Sequence, residues 1–326
     1  MKKAKSWAAM ALFLLFATLS AAAQDAPLTA RLYSQARMPR AVGHGQFSGI
    51  AYLGADCYAV VDDKLPGGGI VFMEFRMDSY GRVTKTVPYG TSGSTVSGRD
   101  NEGVAYVPAT RTLYVSSESD QQIREYGLDG LETGRQLRVP EAFGTAKISP
   151  NKGFEALTYN AATGLFWTTT EAPLKGETFH RLQSFSSEGE PLGSYRYQME
   201  AATGQAAGAE AYVFGIPALA AMDDGRVLVL EREVYVPAGG LLDKALRSFT
   251  RMNLFVVDPK TAAPDGLLAK QRVASWSTSS VNLANFEGMC LGPKLSDGRQ
   301  CLVLIADSQG GQDGLTAEYI KVITLR

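Results

Sequence analysis

The chain has little of what most catalytic signatures are built from. Its 326 residues include three cysteines and two histidines. His44 and His180 have no metal-ligand spacing around them, and the cysteines form no zinc pattern. A serine hydrolase needs a histidine beside its nucleophile. The G-x-S-x-G elbow is missing, since Gly93-Ser94-Thr95 and Ser97-Gly98 do not form it. No P-loop occurs. There is no basic excess: 32 Lys plus Arg stand against 33 acids, a formal net charge of −1, which argues against a nucleic-acid partner.

Long apolar runs are also scarce. One lies at the start, from Trp7 to Leu19, preceded by Lys2, Lys3 and Lys5 and followed by Ala21-Ala22-Ala23. That order is a secretory signal peptide with cleavage near Ala23. The run is short for a bilayer span. The expectation is a signal peptide over 1–23, a single domain over 24–326, and a periplasmic or secreted product with no membrane contact after cleavage. Removal of three lysines makes the remainder more acidic.

What is present is a phrase repeated five times. Its copies are SGIAYLGADCYAVVDD (Ser48 to Asp63), NEGVAYVPATRTLYVSSE (Asn101 to Glu118), GFEALTYNAATGLFWTTTE (Gly153 to Glu171), IPALAAMDDGRVLVLERE (Ile216 to Glu233) and NFEGMCLGPKLSDGRQCLVLIAD (Asn285 to Asp307). Each is an apolar strand, a turn, and a second apolar strand ending in an acid. The anchors Gly49, Gly103, Ala156, Ala218 and Gly288 lie 54, 53, 62 and 70 residues apart. A hairpin repeated at such spacing reads as an all-β propeller with one sheet per repeat.

Third strands follow at Ile70 to Met77, Gln122 to Leu128, Arg181 to Ser186, Met252 to Asp258 and Tyr319 to Leu325. Fourth strands follow at Val83 to Pro88, Gln136 to Val139, Gly193 to Gln198 and Ala269 to Trp276. The last repeat lacks a fourth strand, and Ala30 to Met38 is free to close the ring. Five four-stranded blades result. Six remain open if the insertion from Ala238 to Leu268 hides a sheet. Cys290 and Cys301 lie in the two strands of the fifth hairpin. If its turn centres near Leu295 and Ser296 they face each other, and an oxidising compartment allows a disulfide.

In a propeller the first strand of each blade lines the channel and the second runs antiparallel to it. A residue just before strand one therefore lies at the same end as a residue just after strand two. Glu102, Glu155 and Glu287 hold the first place. Asp62 or Asp63, Glu118, Glu171, Glu231 and Asp307 hold the second. Carboxylates gathered at one mouth repel one another, and a hard divalent cation, Ca²⁺ or Mg²⁺, relieves this with oxygen ligands alone. Asn101, Asn151, Asn282 and Asn285 offer neutral oxygens. The competing account is structural: acids at strand ends bond backbone amides or pair with Arg99, Lys152 or Arg232. Asp307 to Gly314 faintly suggests a calcium loop but lacks EF-hand spacing and reads as a turn.

The segments Asn-Glu-Gly-Val-Ala, Gly-Phe-Glu-Ala-Leu, Leu-Val-Leu-Glu-Arg and Asn-Phe-Glu-Gly followed by Ala-Asp, in serial order from Phe47 to Asp307, resemble the esterase-like, phytase-like family of secreted bacterial propellers. That resemblance implies phosphoester or ester hydrolysis. The Glu before strand one also resembles the metal-binding Glu of gluconolactonase-type propellers. The strongly acidic calcium motifs of true propeller phytases are not evident, which argues against phytate.

Together these point to a metal-assisted hydrolase acting on a small-molecule phosphate or carboxylic ester. Glu102, Glu155, Glu287, Glu118, Glu171, Glu231 and Asp307 would hold Ca²⁺ or another divalent cation. Glu155 would serve as base, with Lys152 and Arg232 neutralising substrate charge. The alternative is a non-catalytic propeller that binds a ligand or ion. It gains if Arg232 is buried and locked to an acid.

Overall fold

A computed structural model describes residues 27–39, 45–62, 69–93, 100–203, 206–279, 282–308 and 316–326. Residues 1–26, His44, Asp63, Arg99 and most of the turn after Asp307 lie outside these. The first described elements are two short strands, β1 (Ala30–Leu32) and β2 (Ala36–Arg37). Blade one is β3 (Phe47–Gly54), β4 (Cys57–Asp62), β5 (Gly69–Met77) and β6 (Val83–Gly93). Blade two is β7 (Asn101–Val107), β8 (Thr112–Ser117), β9 (Gln122–Gly127) and β10 (Glu132–Gln136).

Blade three is β11 (Phe154–Asn160), β12 (Leu165–Thr170), β13 (His180–Ser186) and β14 (Pro191–Tyr197). Blade four is β15 (Ala209–Ala221), β16 (Val227–Pro237), β17 (Phe249–Val257) and β18 (Lys270–Ser279), with a short helix, α1 (Leu241–Arg247), before β17. Blade five is β19 (Asn285–Lys294), β20 (Gln300–Asp307) and β21 (Tyr319–Leu325). Every blade is an antiparallel sheet in sequence order, and the structure is a five-bladed propeller.

The chain start closes the ring. Ala30 pairs with Leu325 and Leu32 with Ile323, while Ala36 pairs with Ile320 and Arg37 with Tyr319. The strand β21 thus gains a neighbour instead of presenting an open edge. The six-blade alternative is ruled out: the insertion carries α1, the third strand of blade four and one turn of 3-10 helix at Pro259–Thr261, but no further sheet. The fourth strand of blade two lies earlier than the sequence suggests, at Glu132–Gln136; past it, only the Leu137 amide still bonds Ile123 O. Among the described residues no helix is long and apolar enough to cross a membrane.

Second strands are buried on both faces. In β20 Cys301 to Ala306 are fully covered, as are Val227 to Leu230 in β16. Each Val, Leu or Ile side chain so covered contributes about 1.5–3 kcal/mol. The clusters run between blades: Leu228 and Leu230 pack with Leu302, Leu304 and Ile323. First strands meet tightly at the axis. A Cβ on Gly49 would lie 2.3 Å from Glu102 O, and one on Gly103 would lie 2.6 Å from Leu157. Only glycine lets neighbouring backbones approach so closely.

Cys290 and Cys301 are both free thiols. Cys290 pairs with Val303, and a register shift separates Leu291 from Lys294. The hairpin is therefore out of step with a turn centred at Leu295 and Ser296, and the two cysteines are not opposite each other.

Candidate functional site

All five first strands carry a β-bulge near the same end. The pairing skips Ser48 in blade one, Glu155 in blade three and Glu287 in blade five, and one residue within Glu102–Gly103 and within Ile216–Pro217. A bulge leaves one residue out of the ladder and re-aims its side chain. This is how Glu102, Glu155 and Glu287 come to share one mouth of the channel. Burial raises the pKa of Glu155 well above the usual carboxyl value, and Glu102, Glu171 and Glu287 repel its charge further. Burial, then Asp307, pushes Glu287 up to about 8 despite the pull of Arg232.

Cross-strand pairing also aligns the residues after strand two. Thr169 pairs with the anchor Ala156, and Glu171 stands two residues on. Ile305 pairs with Gly288, and Asp307 stands two on. Leu230 pairs with Ala218, and the residue two on is Arg232, not Glu231. Blade four thus puts a cation where its neighbours put an acid. Glu231 is one residue out of phase, so its side chain faces the other way. There it accepts bonds from Tyr197 Oη at 2.7 Å, Lys270 Nζ at 2.8 Å and the Glu200 amide. It does not belong to the mouth cluster.

Arg232 is 2% exposed. Its guanidinium binds Glu171 Oε1 at 2.6 Å, Glu287 through a short bond, and Asn285 Oδ1 at 3.1 Å, with Glu155 at 3.6 Å. Asn285 donates onward to Glu287 at 2.8 Å. Burial opposes the Arg232 charge, but Glu287, Glu171 and Glu155 outweigh it and raise its pKa. Lys152 Nζ reaches Glu171 Oε2 at 2.5 Å. Both cations assigned to substrate by sequence therefore bind the Glu171 carboxylate. His180 supports that residue from behind: its ring lies 3.0 Å from Glu171 O, and burial lowers its pKa to about 4, so it is neutral.

The blade-two side of the mouth differs. Asp100, Glu102 and Glu118 each offer an oxygen within 4.8 Å of the others. Glu118 accepts the Gly153 amide at 2.6 Å. Burial raises its pKa, this amide opposes the rise, and Glu171 and Asp100 add to it. Asp100 is held in the left-handed region (φ 51°), which Asp tolerates better than most residues. Asp100 and Glu118 open onto a cleft of about 410 Å³ walled by Ser149, Asn151 and Lys175. An all-oxygen donor set of this kind suits a hard cation.

Sequence reasoning passed over Asp100 and Lys175. Asp100 had a usable signal, because it stands two residues before Glu102 at the same strand start. Lys175 had none, since it reaches the cleft through the loop after β12.

The family model described as "Phytase-like: Esterase-like activity of phytase" matches residues 42–309. The chain belongs to this phytase-like family. No curated protein matches it. Among solved structures it is similar to one from a nidogen/laminin complex, at 10% identity and TM-score 0.40, covering 90% of this chain and 97% of that one. It is also similar to two α-L-arabinofuranosidases. One, from Podospora anserina in complex with cellotriose, shows 11% identity and TM-score 0.45, covering 91% and 96%. The other, the catalytic domain of a Coprinopsis cinerea GH62 enzyme, shows 10% identity and TM-score 0.46, covering 91% and 97%. At these values the three carry no argument about activity.

Proposed function

We propose that this phytase-like propeller is a metal-assisted hydrolase of a small-molecule phosphate or carboxylic ester. The observation that carries the reading is the convergence of Asp100, Glu102 and Glu118 at the edge of a cleft. These are the residues that would hold Ca²⁺ or a similar divalent cation, with the channel carboxylates behind them. Bound there, such a cation would supply Lewis-acid polarisation of an ester oxygen.

The chain's own residues supply the rest. Lys175 and Asn151 line the cleft where a substrate oxyanion would sit. Glu155 remains the candidate base. Burial and neighbouring carboxylates raise its proton affinity, which strengthens it as a proton acceptor once ionised. Lys152 and Arg232 act indirectly in this reading, by fixing Glu171 and Glu287. Export through the N-terminal segment belongs to the same proposal, as does a small-molecule partner rather than nucleic acid or membrane.

The test is hydrolysis of phosphomonoester, carboxylester and lactone substrates by chelated and Ca²⁺-loaded protein. Metal-dependent turnover is expected, falling about 10²- to 10⁴-fold in Glu155→Gln with the fold intact. No turnover on any class, with calcium bound, would favour the second reading: a non-catalytic ion- or ligand-binding propeller. One observation favours that reading, namely that Arg232 is buried and locked between Glu171 and Glu287.

A further inference from the structure

The blade-two loop that carries Glu118 is tied to blade three by a side chain that the proposed reaction does not use. Gln121 is 2% exposed. Its Nε2 donates to Glu118 O at 2.7 Å, and its Oε1 accepts the Phe154 amide at 3.2 Å. Its own backbone amide donates to Ser117 O at 3.1 Å. One buried amide group thus bonds a candidate metal ligand's backbone and the residue immediately before Glu155. Beside it, the Gly153 amide donates to Glu118 Oε1 at 2.6 Å. Glu118 is therefore held at both ends, its carbonyl by Gln121 and its carboxylate by Gly153.

The backbone on both sides is adapted to this clip. Gln121 sits in the left-handed region (φ 57°), a strained place for a glutamine that persists only where the surroundings enforce it. Opposite it stands Gly153. A Cβ there would lie 1.9 Å from Gln121 Nε2 and 3.0 Å from Glu118 Cγ, so a larger residue would displace the amide. The neighbouring carboxylate lacks a partner. Glu155 is 8% exposed, and among the described residues it accepts no hydrogen bond and has only Arg232, at 3.6 Å. Of the carboxylates that repel it, Glu102 acts most strongly. A buried carboxylate so poorly matched marks a place where a cation is wanted.

We infer that Gln121 is a positioning residue for the metal set: it fixes Glu118 against Asp100 and Glu102 and ties that set to the strand carrying Glu155. The inference rests on the proposal that these three acids hold a divalent cation, but not on hydrolysis. The Glu118 amide donates to Asp100 O at 2.8 Å, so the two acids already share a backbone bond. Gln121 adds the tie to the next blade. Removing it frees the Glu118 carbonyl and loosens the spacing of the three carboxylates, which sets the affinity for a hard cation.

The experiment measures Ca²⁺ affinity by calorimetry on chelated full-length protein, with thermal melts of the same samples. Gln121→Gly deletes the clip and relieves the left-handed backbone, so it should fold with little change in Tm. Its calcium affinity should fall about ten- to a hundredfold, the usual cost of losing a residue that orients a ligand. Gly153 has no positive φ, so Gly153→Ala is opposed by the clash alone and should weaken calcium by displacing the Gln121 amide. The double variant should bind no more weakly than the worse single one, because both act through one contact. Val303→Ala, in the buried second strand of blade five, should lower Tm and leave affinity intact, which separates positioning from stability. The assignment is overturned if wild type binds Ca²⁺ and both Gln121→Gly and Gly153→Ala bind it equally well, or if Val303→Ala weakens binding as much as they do. Wild type that binds neither Ca²⁺ nor Mg²⁺ overturns the metal set and the assignment with it. Calcium binding lost in Gln121→Gly, with no turnover of any ester by wild type, would support the assignment and end the hydrolase reading alone.

Discussion

The two flanks of the channel mouth are built from the same hairpin and end in opposite electrostatic states. On the blade-four flank, Arg232 sits among Glu171, Glu287 and Glu155 and cancels much of their charge. On the blade-two flank, Asp100, Glu102 and Glu118 crowd together, and Lys152, whose charge acts on Glu118, is drawn to Glu171. The difference comes from one position. Where Glu118, Glu171 and Asp307 follow strand two, blade four has Arg232. A repeat can thus hold its backbone constant and set the character of each sector by one side chain. The neutralised flank reads as scaffold, and the acidic flank reads as the working edge.

The largest expected effect tests the scaffold. Arg232→Met should leave buried carboxylates without their counter-charge and cost about 3–5 kcal/mol in urea unfolding. A loss below about 1 kcal/mol would mean that the acids are solvated or protonated without it, and the contrast between flanks would collapse.

Next in size is the pH dependence of the same flank. Glu287 has its pKa raised from 4.5 to about 8 in the folded state. Between those values the folded chain keeps a proton that the unfolded chain has released. Its contribution to stability is therefore complete below about pH 4.5 and is lost as pH rises through about 8. Unfolding free energy measured across this window should fall with pH, and Glu287→Gln should flatten the slope. An unchanged slope would remove Glu287 from the coupled set.

The acidic flank should respond to metal rather than to unfolding. Glu118→Gln keeps an oxygen for the Gly153 amide but removes the charge. Calcium affinity by calorimetry should drop at least tenfold, about 1.4 kcal/mol, with little change in Tm. The reverse pattern, intact affinity with a lowered Tm, would make Glu118 a structural acid like those on the other flank. The smallest effect is reserved for Lys175→Ala. It should raise KM several-fold, about 1 kcal/mol, without altering metal affinity or stability.

The alternating apolar phrases and their turns were enough to read the five blades, the order of strands and the closing role of the chain start. Period-two patterning is local, so it survives in the sequence. The acids Glu102, Glu155 and Glu287 were legible for the same reason, as each stands immediately before a glycine or alanine anchor. Glu231 was misplaced because hairpin loops differ in length. Counting along the chain reaches an acid near the end of strand two, whereas counting across the ladder from Ala218 finds Arg232. The expected cysteine facing failed in the same way, through the register shift between Leu291 and Lys294.

The sequence by itself determined a phytase-like propeller of five sheets with carboxylates at one mouth, because hydrophobic alternation and strand-end acids are written residue by residue. Tertiary structure alone decided which acids meet, which are cancelled and where a ligand could enter. A one-residue change of register turns a side chain to the other face of its strand, and bulges and loop lengths set that register. Arg232 lies far along the chain from both Glu171 and Glu287. Only closure of the ring brings the three together and leaves Asp100, Glu102 and Glu118 as the acidic edge.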